Sequence, residues 1–236
     1  MHHVVLERWS RAASPLHARD ARAKLACLLI FLVAVSTTAP RSQLAFAGYA
    51  LLLSAAVLVA RLPAAALLRR AALVLPFSAT FALITWWSGD PLRALSLAEK
   101  SFLSALAVLL TMATTPLVQL VAALDAARVP GPLLLVIQFL YRYLFVVSEQ
   151  AQHMHLAAQC RMGNGRRNAA RFRAAAGAVG VLFARSWERA DGIDRAMLAR
   201  GFTGRFPASE PVRFGWRDGA LVCACAAVSL AVRLQS

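Results

Sequence analysis

Much of what this sequence does not contain is chemistry. Its five histidines, His2, His3, His17, His153 and His155, have no serine or cysteine nucleophile in a membrane-buried position to serve, and no GxSxG-type turn is present, so hydrolytic triads are excluded. No glycine-rich phosphate loop occurs either, so the chain does not itself bind ATP through a Walker motif. Of the four cysteines, Cys27, Cys160, Cys223 and Cys225, two lie in apolar runs and pair with no His or Cys at zinc-ligand spacing, which argues against a structural metal site or a disulfide framework. His153 and His155 stand two apart on a predicted helix and therefore do not share a face. Neither a metal nor a cofactor is expected. The first 25 residues are charged, with no apolar core or small-residue cleavage site, and are not expected to be a secretory leader. Acidic residues are scarce, 11 against 26 basic ones, for a net charge of +15. No RNA- or DNA-binding motif accompanies that charge, so nucleic acid is not an expected partner.

What is present is apolar. Hydrophobic residues make up 59% of the chain and mean hydropathy is +0.59, too apolar for an ordinary soluble domain. The sequence reads as an all-α integral membrane protein. Apolar runs cover Leu25 to Ala39, Leu44 to Ala60, Ala71 to Trp87 and Phe102 to Thr115, with flanking residues completing each span. A last run, Gly219 to Val232, makes about five transmembrane helices. None of the first four has an Asp, Glu, Lys or Arg at its centre. An ion path inside a membrane is normally marked by such residues. Their absence points away from a self-sufficient ion transporter and toward a scaffold or coupling subunit.

Orientation follows from the arginines. Residues 1–24 carry Arg8, Arg11, Arg19, Arg22 and Lys24, and the second linker carries Arg61, Arg69 and Arg70, so the positive-inside rule places the N-terminus in the cytoplasm. Residues 25–116 form a four-helix transmembrane region, residues 117–216 a cytoplasmic domain, and residues 217–236 the final span. Within the cytoplasmic stretch Leu133 to Val147 is apolar enough for another span. Crossing there would put Glu149 to Arg217, with twelve arginines against five acids, outside. The charge rule therefore sets Leu133 to Arg161 as one long helix along the inner membrane face.

Gly163-Asn-Gly165 ends that helix, and a second long one runs from Asn168 to Arg200, where Gly201 stops it. Ala174, Ala175, Gly177 and Gly180 leave a surface of the second helix almost free of bulk, which suits a close crossing with the first. Each helix ends on an arginine, Arg161 and Arg200. The macrodipole favours a cation at a helix C-terminus by about 0.3–1 kcal/mol without any partner. Two such ends in one basic cytoplasmic region favour docking to acidic grooves.

Several motifs carry a resemblance. Thr115-Pro-Leu117, Val129-Pro130, Tyr141-Arg-Tyr-Leu144, Cys160-Arg-Met162 and Ala196-Met-Leu-Ala-Arg-Gly-Phe202, with Asp20-Ala-Arg-Ala-Lys24 before the first span, make most of the chain similar to the transmembrane T component of energy-coupling factor transporters, in its cobalt-type, CbiQ-like branch. The resemblance implies a bacterial cytoplasmic (inner) membrane location and a non-enzymatic role. It also implies two ABC-type, CbiO-like ATPases as A components, a CbiM-like substrate-binding S component, and a small CbiN-like subunit. Arg161 and Arg200 would then enter one groove on each ATPase, flanked by Cys160 and Met162 and by Ala199 and Gly201. Cys160 and Met162 depart from the pattern, where Ala and Gly are usual. The reading from another class is a small membrane enzyme with an Arg-lined cytoplasmic face acting on anionic lipid or phosphate substrates.

Overall fold

The computed structural model describes Trp9 and residues 14–162, 168–204 and 215–234. The basic residues Arg8 and Arg11, the break at Gly163-Asn-Gly165 and the stretch 205–214 before the last span lie outside the described residues. Among the described residues all regular structure is helical: α1 (Ala21–Thr37), α2 (Gln43–Ala60), α3 (Ala64–Ala71), a 3₁₀ turn (Ala72–Val74), α4 (Leu75–Trp87), α5 (Pro91–Thr114), α6 (Leu117–Ala126), α7 (Gly131–Met162), α8 (Asn168–Ala199) and α9 (Trp216–Leu234).

The helix ends have local causes. Asp20 caps α1 by accepting from the Arg22 amide at 2.9 Å, which starts the helix four residues before the apolar run. The 3₁₀ turn separates α3 from α4 because Pro76 has no N–H to give the Ala72 carbonyl and its ring crowds that oxygen. Pro91 occupies the first turn of α5, where a missing N–H costs nothing. Thr115, extended at φ −130° and ψ 115°, ends it before Pro116.

The chain forms two compact units, one comprising Met1–Ala123 with Glu210–Ser236 and the other Leu124–Ser209. In the first, Phe31, Val35, Tyr49, Leu53, Leu67, Leu103, Leu106 and Leu110 make the core. Tyr49 is fully buried. Its ring meets Phe31 edge to face at 5.6 Å, and its hydroxyl lies 3.2 Å from Thr38 Oγ1 and 3.5 Å from the Ser229 carbonyl. The opposite side of α2 is equally apolar but open: Leu44, Leu51 and Leu58, seven residues apart, are each more than 70% exposed. A helix that is hydrophobic all round needs a hydrocarbon solvent.

The two lysines do a related job at opposite ends of one antiparallel pair. Lys24, near the start of α1 and 5% exposed, donates from Nζ to the Thr114 carbonyl at the end of α5 at 2.8 Å and to the His17 carbonyl at 3.3 Å. Lys100, in the first half of α5, donates to the Ser36 and Thr38 carbonyls at the end of α1 at 2.9 and 2.7 Å. Lys24 thus supplies a donor to the last carbonyl of α5, and Lys100 donors to the carbonyls that end α1, where they have no partner within the helix and the dipole favours a cation. Arg93, Glu99 and Lys100, which lie between the apolar runs ending at Trp87 and beginning at Phe102, belong to a helix that begins at Pro91.

Among the described residues four stretches are long and apolar enough to cross a bilayer: Gln43–Ala60, Ala64–Trp87, Pro91–Thr114 and Gly131–Arg161. The first three correspond to expected spans, with Ala64–Trp87 and Pro91–Thr114 each beginning earlier than the apolar run. The fourth is α7, which by length and composition could cross and which the arginine distribution predicts to lie along the inner face. Of the other two expected spans, α1 has 17 residues, and α9 carries Arg217, Asp218 and Arg233.

Candidate functional site: two arginine-terminated helices

The second unit holds both signature arginines. Helices α7 and α8 are each an unbroken 32 residues, about 48 Å at 1.5 Å per residue.

The end of α8 is a Schellman motif. Arg200 is the last residue of the turn, its amide bonded to the Met197 carbonyl at 3.1 Å and the Ala196 carbonyl at 3.3 Å. Gly201 donates to Leu198 at 3.0 Å, and Phe202 reaches back to Met197 at 3.0 Å. The closure needs a left-handed residue, and Gly201 supplies φ +70°. Ala-Arg-Gly is therefore a geometric unit. Ala199 continues the helix without bulk beside the arginine, Arg200 projects as an exposed side chain, and Gly201 turns the backbone away.

Arg161 occupies the last turn of α7. It and Cys160 are exposed, and the side chain of Met162 lies outside the described residues. One turn earlier Gln159 Nε2 and His155 Nε2 stand 2.9 Å apart, an i,i+4 pair on the exposed surface.

The small-residue stripe is not where α7 and α8 meet. A Cβ placed on Gly177 or Gly180 would find no atom within 4 Å, and Ala175 is exposed beside the half-buried Ala174. Instead the helices flank a groove of about 380 Å³ lined by Phe139, Tyr143 and Val147 of α7 and by Arg189, Ile193 and Met197 of α8, among others. Bulky side chains line it. On the groove side of α7 Tyr143 stacks on Phe139 with centroids 6.1 Å apart, and on another face of the same helix Tyr141 meets Phe145 edge-on at 5.3 Å. The signal for this groove was in the sequence as the i, i+4, i+8 set Phe139, Tyr143 and Val147, less conspicuous than a run of alanine and glycine.

The groove sets unequal arms. From Val147 to Arg161 is about 21 Å of helix, whereas Arg200 stands within about 5 Å of Met197 along α8. Among the described residues no three His, Cys, Asp or Glu side chains group to hold a metal ion. The arrangement offers two exposed guanidinium groups on rigid rods, suited to bidentate contact with carboxylates.

These features define a class: an all-α, multi-pass membrane protein carrying a pair of long helices that each end in an arginine. Residues 12–210 match the family model CbiQ, described as cobalt transport protein, and the chain belongs to that family. It is 30% identical over 108 residues to the cobalt transport protein CbiQ of Rhodobacter capsulatus, covering 43% of this chain and 44% of that one. It is also 27% identical over 92 residues to an uncharacterised protein of Methanocaldococcus jannaschii, covering 39% and 34% respectively. The matched stretches thus span less than half the length of either relative.

Proposed function

We propose that this chain is the membrane coupling (T) component of an ABC-type energy-coupling factor importer, with cobalt as the cargo of the assembly. The observation that carries the reading is the Gly201-locked end of α8, which presents Arg200 on a fixed backbone, in a chain of the CbiQ family. Arg200 enters an acidic groove on one CbiO-like ATPase and Arg161 the equivalent groove on the other. The chain sits in the bacterial inner membrane with its N-terminus in the cytoplasm, as the arginine distribution favours. ATP is hydrolysed by those partners, and a CbiM-like S component, with a small CbiN-like subunit, binds the metal.

In this mechanism ATP binding draws the ATPases together and moves both docked helix ends. Because the arms are unequal, a rotation of about 10° at the aromatic groove would carry Arg161 through about 4 Å and Arg200 through about 1 Å. The Ala174, Ala175, Gly177 and Gly180 stripe stays free for the close approach of a helix from another subunit.

The test is affinity purification of the tagged chain from mild detergent, with identification of the bound chains, beside ATP-dependent uptake of radioactive cobalt in cells expressing the operon. Two ATPases and a small metal-binding membrane protein in the eluate, with uptake lost when this chain is deleted, are expected. Turnover of a phosphate or lipid substrate by the isolated chain would overturn the proposal.

A further inference from the structure

Within the first unit α1, α5 and α9 each present two helical turns to one cavity of about 340 Å³. From α1 come Lys24, Cys27, Leu28 and Phe31, an i, i+3, i+4, i+7 set. Helix α9 repeats the spacing with Leu221, Ala224, Cys225 and Val228. Helix α5 repeats it again with Ala107, Leu110, Thr111 and Thr114. That spacing is one helix face, so the cavity is a slot running along the helix axes for about 10 Å.

The slot has a direction. The Lys24 to Thr114 bond places the end of α5 beside the start of α1, and the Cys27 and Cys225 thiols, 3.9 and 3.8 Å from carbonyls on each other's helices, set α9 parallel to α1. Lys24 and Thr114 therefore share one end, and Phe31, Ala107 and Val228 the other. The walls between are apolar, and exposed Ala224 and Val228 leave the slot open at its side. Around the polar end Arg19, Lys24, Asp20 and Asp218 sum to zero charge, with Arg19 4.0 Å from Asp218 and the Asp20 amide 3.4 Å from the same carboxylate. Lys24 gives two of its three N–H groups to carbonyls.

We infer that the slot binds one esterified acyl chain of a membrane phospholipid, its tail parallel to the helices and its ester carbonyl accepting from the remaining N–H of Lys24. An elongated apolar cavity of a few hundred Å³ with a few polar groups at one end has the form of a pre-built ligand site. A hydrocarbon chain lying along the bilayer normal matches its shape. The balanced charges favour a neutral carbonyl over a free carboxylate or a phosphate, each of which would bring an unmatched charge to a buried end. The occupant fills the joint between α1 and α9, the first and last described helices, and stiffens it.

Two measurements on the full chain test this. In nanodiscs containing phosphatidylcholine with a diazirine near the ester, illumination should label peptides around Lys24 and Cys27. Ala224→Phe, which fills the open side, should abolish that label and spare labelling of the Leu44, Leu51 and Leu58 face. Equal labelling of slot and outer face, unchanged in Ala224→Phe, overturns the inference. In the unmutated protein in detergent, adding phosphatidylcholine at about ten times its dissociation constant should slow maleimide reaction at Cys225 roughly tenfold and leave exposed Cys223 unchanged. No protection, or equal protection by the free fatty acid, overturns it.

Discussion

Replacing Gly201 with alanine isolates the backbone part of the arginine signature. A Cβ at this position would meet no atom within 4 Å, so no clash follows. What changes is the cost of holding φ at +70°, roughly 1–2 kcal/mol for a residue with a side chain. That cost falls on the two bonds that close the helix end, Gly201 to Leu198 and Phe202 to Met197, each 3.0 Å. A penalty of this size opens the closed end by a factor of about 5–30. Amide hydrogen exchange resolves it directly: in Gly201→Ala the amides of residues 201 and 202 should exchange about 5–30 times faster, while those of α8 before Met197 stay as they are. Asparagine tolerates the left-handed region better, so Gly201→Asn should fall between glycine and alanine. Affinity for the ATPase pair should follow the same order with Arg200 itself untouched. Unchanged exchange in Gly201→Ala would refute the claim that Gly201 fixes the arginine.

Lys100→Met removes two charge-assisted bonds to the end of α1 and should destabilise the first unit by about 2–3 kcal/mol, read as a lower melting temperature in detergent. Lys24→Met should cost more, roughly 3–5 kcal/mol, because the carboxylates of Asp20 and Asp218 remain buried without it. Arginine should not rescue either position in the same assay, since its planar fork does not match a compact three-donor ammonium. Tyr49→Phe, which deletes only the hydroxyl between Thr38 and Ser229, should lower stability by about 1 kcal/mol in the same assay.

The parts of the fold legible in the sequence are those punctuated by proline and glycine. Pro130 before α7 and Gly201 after α8 bracket the two long helices, and the read limits, Leu133 to Arg161 and Asn168 to Arg200, differ from Gly131–Met162 and Asn168–Ala199 by a residue or two. The start of α5 was illegible because Arg93, Glu99 and Lys100 resemble linker until Lys100 is seen to satisfy carbonyls 62 and 64 positions away. Long-range satisfaction of a backbone group leaves no local pattern. The crossing of α7 and α8 was misread for a different reason. Small residues permit close packing but do not compel it, and Phe139, Tyr143 and Val147 of α7 face Arg189, Ile193 and Met197 of α8 across the groove instead. At the site itself, the Ala-Arg-Gly order was legible and its closure into a Schellman turn follows from Gly201. The contact proposed for the arginine lies in another chain and leaves no pattern in this one.

The most direct test of the central claim is co-purification of the two ATPases with Arg200→Glu, with Arg161→Glu and with the double variant, alongside cobalt uptake. The account predicts that each single substitution weakens the complex and lowers uptake, and that the double variant recovers neither ATPase. A stoichiometric complex and full uptake in the double variant would contradict it.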